Sequence, residues 1–299
     1  MILQRVLRPQ TGLRAASLCR SPLRAPIQAR KVHNVPQLAY GKIFSEQGIP
    51  DVMSPEGYDM AWTQYQSFLI HKLNLLTNGT RDEDVPTGSL IVKYARDPNM
   101  ASLFNYASMA HNNHFFFSCI SPTPVPVPPK LEEAISESCS SMESLKADFL
   151  ATANAMFGPG FVWLVKEKSS GQLKILTTYI AGSPYPAAHF RRQAVDMATQ
   201  PGFGIDSGDA YKTASRTYGF MGKHSGQTRL APGAADVHPI LCVNTWQHVW
   251  LRDWGIAGKD GFLEAWWDKI NWEEVAQNFS QIGPDRIATN KSGVRSIAF

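Results

Sequence analysis

Acidic residues are absent from the first 45 positions of this 299-residue chain, Glu46 being the first. Long apolar runs are absent throughout. Phe115-Phe116-Phe117 and Phe161-Val-Trp-Leu-Val165 are examples of the runs present, against the roughly 20 consecutive apolar residues that a membrane-spanning helix requires. Cysteine is scarce: Cys19, Cys119, Cys139 and Cys242 are scattered, and no two are spaced as CxxC. That usage argues against a disulfide framework and a zinc site, and it fits a reducing compartment. Internal repeats are lacking as well. The 43% hydrophobic and 18% charged composition is ordinary for a globular chain long enough to bury a substantial core.

What is present begins with the N-terminus. Residues 1–31 carry Arg5, Arg8, Arg14, Arg20, Arg24, Arg30 and Lys31 among Leu, Ile, Val and Ala. An arginine-rich, acid-free, amphipathic start has the pattern of a mitochondrial transit peptide, assigned here to residues 1–33. A basic RNA-binding arm is the alternative, but such an arm has less reason to interleave apolar residues. Without residues 1–31 the 29 basic residues fall by 7 to 22, against 25 acids, so the net charge of +4 becomes −3. The overall basic balance therefore belongs to the presequence, and any contact with nucleic acid must come from local patches.

Apolar spacing predicts a helix over 56–78, closed by Asn78-Gly79, and a second over 99–120 after Asp97-Pro98. Prolines crowd Ser121–Pro129, which reads as an extended linker. A third helix is predicted over 130–157. Strands are predicted over 161–168 and 172–180, joined by Ser169-Ser170-Gly171 as a hairpin, and over 239–243. Residues 185–237 have little periodicity and read as an insertion. Helical pattern returns over 245–254 and 261–279, and 280–299 form a tail. Helices, then strands, then helices indicate an α+β fold, with an N-terminal helical hairpin domain at 46–120 and a C-terminal α+β domain at 130–279. Gly202-Phe-Gly204-Ile-Asp-Ser-Gly208 lacks a flanking strand and helix, so it is not read as a phosphate loop.

Three segments resemble the iron/manganese superoxide dismutases. Phe157-Gly-Pro-Gly-Phe-Val-Trp-Leu-Val165 is similar to that family's FGSGWxWLV stretch. Asn112-Asn113-His114-Phe115-Phe116-Phe117 is similar to its NHxxxW segment. Val243-Asn244-Thr245-Trp246-Gln247-His248, with Phe262-Leu-Glu and Asn271-Trp272-Glu273 after it, is similar to its DxWEH…YLE…NWE ending. The resemblance covers about 56–184 and 237–279. It implies a three-stranded antiparallel sheet packed with helices, and a metal held by three imidazoles and one carboxylate.

The same resemblance places those ligands on Ala61, Asn113, Asn244 and His248, of which only His248 keeps the ligand residue. The supporting groups are altered too: the gateway tyrosine falls on Leu69, the orienting glutamine on Met109, and the glutamate that crosses the dimer on Gln247. A resident metal cofactor and an enzyme activity are therefore not expected. Among dismutase-like chains with incomplete sites, the resemblance points to those of the fungal mitochondrial small ribosomal subunit. It implies a matrix location on the mitochondrial ribosome, a related dismutase-like copy as heterodimer partner, and contacts with small-subunit rRNA and other ribosomal proteins. No membrane is implicated. Tyr65 and Gln247 are the expected dimer-face residues. Arg191, Arg192, Lys212, Arg216, Lys223 and Arg229 of the insertion, with Arg286, Lys291 and Arg295 of the tail, are expected to touch rRNA or a protein partner. The competing reading is a mitochondrial dismutase with a site rebuilt from His111, His114 and His248; an assembly factor that only visits the ribosome is a third.

Overall fold

A computed structural model describes residues 32–95, 97–168, 170–185, 188 and 237–280. The transit segment up to Lys31 lies outside the described residues. So do the candidate contacts Arg191, Arg192, Lys212, Arg216, Lys223, Arg229, Arg286, Lys291 and Arg295.

The first predicted helix is a composite. Ser54 caps it by accepting from the Gly57 amide at 3.0 Å, with Pro55 in the first turn. Helix α1 (Gly41–Gln47) precedes it, and α2 (Pro55–Tyr58) leads without interruption into a π-helical segment, Asp59–Gln64, and then α3 (Tyr65–Thr77). The wider π turn is a rare form that is frequent at functional sites, and it carries Ala61. Helix α4 (Thr87–Tyr94) follows, then a 3₁₀ turn, Pro98–Met100, capped by Asp97, and α5 (Ala101–Ser118). The helix predicted over 130–157 is two: α6 (Pro129–Cys139) and α7 (Met142–Ala155). Ser140 between them has φ +71°, and Ser141 caps α7 through the Ser144 amide at 3.1 Å. A serine pair with that capping capacity breaks the helix that apolar spacing alone would continue. The proline-rich stretch is no bare linker, since Val125 and Val127 pack on the core.

Strands β1 (Gly160–Glu167), β2 (Leu173–Tyr179) and β3 (Val237–Asn244) form one antiparallel sheet in the order β2-β1-β3. The central strand is apolar because both its faces are covered; Phe161 to Val165 are all buried. Pro239 sits on edge strand β3 beside the irregularity at Leu164/Val165, where a missing amide does least harm. Gly160 opens β1 because a Cβ there would come within 2.2 Å of the Thr178 carbonyl oxygen.

After β3 come α8 (Gln247–Trp254), α9 (Lys259–Trp267) and α10 (Trp272–Ser280). The gap between the last two is imposed by the end of α5. The Ser121 amide donates to Lys269 O and the Asn271 amide to Cys119 O, each at 2.8 Å, so residues 269–271 leave helical geometry to pair backbone with 119–121. The main core runs from Phe44 through α5, β1 and β3 to Val275. A smaller core joins Leu73, Leu90, Ile91, Phe104 and Tyr185.

The described chain begins under a clamp. The Asn74 side chain accepts from the His33 amide and donates to the His33 carbonyl, both at 2.9 Å. The His33 ring reaches Asp82 O at 3.2 Å, and the Asp82 carboxylate accepts from Lys93 and Tyr94. Asn74→Ala leaves both backbone groups of His33 without their partner, and a loss of about 1–3 kcal/mol is expected in urea titration. An unchanged unfolding midpoint would mean that the clamp is open in solution.

Candidate functional site

Three of the four positions that the resemblance singles out, Ala61, Asn113 and Asn244, are joined by hydrogen bonds, and the His248 ring lies near those of Tyr65 and Trp246, beside them in sequence. Ala61 comes from the π-helical segment, Asn113 from the middle of α5, Asn244 from the last residue of β3 and His248 from the first turn of α8. Ala61, Asn113 and Asn244 are fully buried. Such burial demands hydrogen-bond partners for every amide, and they are found. Asn113 Nδ2 donates to Ala61 O at 3.2 Å and to Gln66 Oε1 at 3.1 Å. Asn113 Oδ1 accepts from Asn244 Nδ2 at 3.2 Å, and Asn244 Oδ1 accepts from the Trp246 amide at 2.9 Å. Gln66 Nε2 closes the chain on Ala110 O at 2.9 Å.

These residues do not fit the family's metal. Ala61 offers no side-chain donor atom, and the amides of Asn113 and Asn244 are engaged with one another and with the backbone. Among the described residues no group of three or more His, Cys, Asp or Glu is placed to hold a metal ion. The network is neutral throughout and contains neither a nucleophile nor a proton-transfer group.

The histidines of the rearranged alternative face different surroundings. His111 is buried, with Nε2 2.6 Å from the Tyr185 hydroxyl and Nδ1 3.3 Å from Thr87 Oγ1. The His114 ring lies 6.0 Å from that of Trp62. The His248 ring lies 4.2 Å from Tyr65 and 5.8 Å from Trp246. Burial lowers all three below the ordinary imidazole value, to about 3 for His111 and about 4 for His114 and His248. Burial also raises the Tyr65 phenol to about 12. Nε2 of His248 and Nε1 of Trp246 are buried with no hydrogen-bond partner among the described residues. Gln247, between them in sequence, is exposed.

Sequence reasoning missed Gln66, whose signal is a polar residue amid an apolar helical face. It also missed a second buried cluster on α5. Ser108 Oγ donates to Ala181 O at 2.6 Å, Asn112 Nδ2 donates to Gly182 O at 2.9 Å, and Ser183 Oγ donates to Asn112 Oδ1 at 3.0 Å. With the His111–Tyr185 pair, these bonds fix residues 181–185, where the 185–237 segment departs.

Comparison with known proteins agrees with this geometry. The family described as iron/manganese superoxide dismutases, C-terminal domain, matches residues 127–197 and 211–278. Small ribosomal subunit protein mS43 of Schizosaccharomyces pombe is 26% identical over 257 residues, 83% of this chain and 84% of that protein. Small ribosomal subunit protein mS42 of the same yeast is 30% identical over 202 residues, 64% of this chain and 72% of that protein. The iron superoxide dismutase of Escherichia coli strain K12 is 26% identical over 247 residues, 82% of this chain and 97% of the enzyme.

Two outcomes follow from the buried groups. Asn113→Ala strands Gln66 Oε1 and Asn244 Nδ2, and a cost of about 1–3 kcal/mol is expected by denaturant titration; no change would mean that water replaces the amide freely. The depressed histidines make stability acid-sensitive. Their contribution is complete above the unfolded value near 6.5 and is lost as pH falls towards 4 and then 3, because the unfolded chain takes up protons first. Melting temperature measured from pH 7.5 to 4.5 is expected to fall below about pH 6.5, and replacing His111 with Asn to flatten that fall.

Proposed function

The chain belongs to the iron/manganese superoxide dismutase-like proteins of the fungal mitochondrial small ribosomal subunit, and from that premise we propose that it is a catalytically inactive structural component of that subunit, resident in the mitochondrial matrix. The observation that carries the inactive reading is the closed amide network of Asn113, Asn244 and Gln66 around Ala61. A fold whose reaction centre is occupied by its own hydrogen bonds contributes through its surfaces.

Pairing with a related dismutase-like copy is part of this proposal. Two different ribosomal proteins of one yeast resemble this chain, mS43 and mS42. Tyr65, Trp246, Gln247 and His248 form a neutral face in which buried Trp246 Nε1 and His248 Nε2 are left without partners. Contacts with rRNA are assigned to the basic residues of the insertion and tail named above, since phosphate recognition draws on Arg and Lys.

Sucrose-gradient sedimentation of the tagged protein from mitochondrial extract tests the reading. Co-migration with the small subunit through a high-salt wash is expected, with less than stoichiometric iron or manganese in the purified protein. A free dimer at the top of the gradient that carries one metal per chain would replace this reading with that of a dismutase whose site has been rebuilt. Gln247→Lys places a cation in the proposed face and is expected to weaken pairing; unchanged sedimentation of the pair would remove Gln247 from the interface.

A further inference from the structure

Helices α7 and α9 lie side by side and run in opposite directions. Lys146, near the start of α7, meets Glu264 and Asp268 at the end of α9, at 3.1 and 3.6 Å. Lys259, the first residue of α9, donates to the Asn154 and Met156 carbonyls at the end of α7, at 3.2 and 2.9 Å. An open groove of about 500 Å³ remains between the two helices. Ala147 and Ala151, one turn apart on α7, are small and exposed, and Leu150 and Leu263 line the trough beside them.

The groove is apolar in its middle and acidic at its ends. Glu143, Asp260 and Glu264 line it against one cation, Lys146, and that cation is shared between Glu264 and Asp268. Lys259 directs its ammonium to the last carbonyls of α7, as a helix C-terminus requires. Glu143 and Asp260 have no ion pair among the described residues. Each suits the first turn of its own helix, but the helix dipoles do not account for an apolar trough with a carboxylate at either end. Its charge repels a phosphate backbone. A lysine side chain matches it, since the ammonium pairs with a single carboxylate while the four-carbon stem lies on apolar surface. From Glu143 to Asn154 the groove follows α7 for about 16 Å, at about 1.5 Å per residue, which about five extended residues span.

We propose that the α7–α9 groove receives a short extended segment of another protein, with lysines paired to Glu143 at one end and Asp260 at the other. The proposal rests on the ribosomal reading above, which sets the chain among other proteins, and adds to it a docking surface that contains neither Tyr65 nor Gln247.

Carbodiimide coupling tests it, because the reagent joins a carboxylate to a lysine only where the two are in contact. Small subunits carrying the tagged full chain are treated, and the linked peptides are identified by mass spectrometry. Links from Glu143 and Asp260 to lysines within one short stretch of another protein are expected, alongside the internal link between Glu264 and Lys146 that shows the reagent has reached the groove. The internal link alone, or links to Lys291 of this chain, would overturn the proposal while the ribosomal reading stands; so would ultraviolet adducts of rRNA on residues 143–154. If the tagged chain does not sediment with the small subunit, the ribosomal reading fails and this proposal with it. A second measurement uses Glu143→Gln/Asp260→Asn, which removes both charges from exposed positions. The linked protein is expected to leave variant subunits at a lower salt concentration than wild-type ones, with this chain retained. An unchanged release profile would show that the two carboxylates do not hold it.

Discussion

The 3.2 Å bond between Asn244 Nδ2 and Asn113 Oδ1 ties the last residue of β3 to the middle of α5, and the buried centre of the molecule is arranged around it. Asn113 also reaches Ala61 and Gln66, so one side chain links the π-helical segment, α3, α5 and β3. In a metal enzyme of this fold, a cation would make that junction. Here neutral amides make it, and the electrostatic logic is consistent position by position. Without a cation, a carboxylate at 244 would be buried with no counter-charge, at a cost of several kcal/mol. Asparagine has nearly the same shape and carries no charge; its nitrogen donates to Asn113 and its one side-chain oxygen accepts from the Trp246 amide. A side chain without a donor at 61 and a neutral one at 244 are thus electrostatically consistent with one another.

The π turn at Asp59–Gln64 bears on the same point. A π-helical turn gives up regular hydrogen bonding, and proteins keep such turns where geometry is needed. Here the turn presents a backbone oxygen, Ala61 O, to Asn113. Ala61 has no polar side-chain atom, and the main chain supplies the acceptor.

The strands were legible from spacing, as were most of the longer helical stretches, and the motif resemblance pointed to positions 61, 113 and 244, which hydrogen bonds join. Other features were not. Helix α4 is eight residues long, contains Gly88 and follows Pro86, so its apolar period barely completes two turns. The break at Ser140-Ser141 depends on a positive φ and a cap, which periodicity does not register. Gln66 carried only a weak signal, a polar residue on an apolar helical face, and its role becomes clear once its partners Ala110 O and Asn113 are placed. The His111–Tyr185 pair joins residues 74 positions apart, across β1 and β2, and no local pattern encodes it.

Helix α5 shows why its polar residues escape an amphipathic reading. It is enclosed on nearly every side, with His111, Asn112 and Asn113 buried in succession and Ser108 one turn earlier. Successive residues point about 100° apart, so the three adjacent polar side chains serve different neighbours. Asn113 faces Ala61, Gln66 and Asn244. Ser108, His111 and Asn112 face residues 181–185, at the root of the segment that ends in β3. The helix bonds on two fronts, through Asn113 to Ala61, Gln66 and Asn244, and through Ser108, His111 and Asn112 to residues 181–185. One helix thus uses neighbouring polar positions to satisfy the buried polar groups of two separate parts of the fold, which an apolar helix in the same enclosed place could not do.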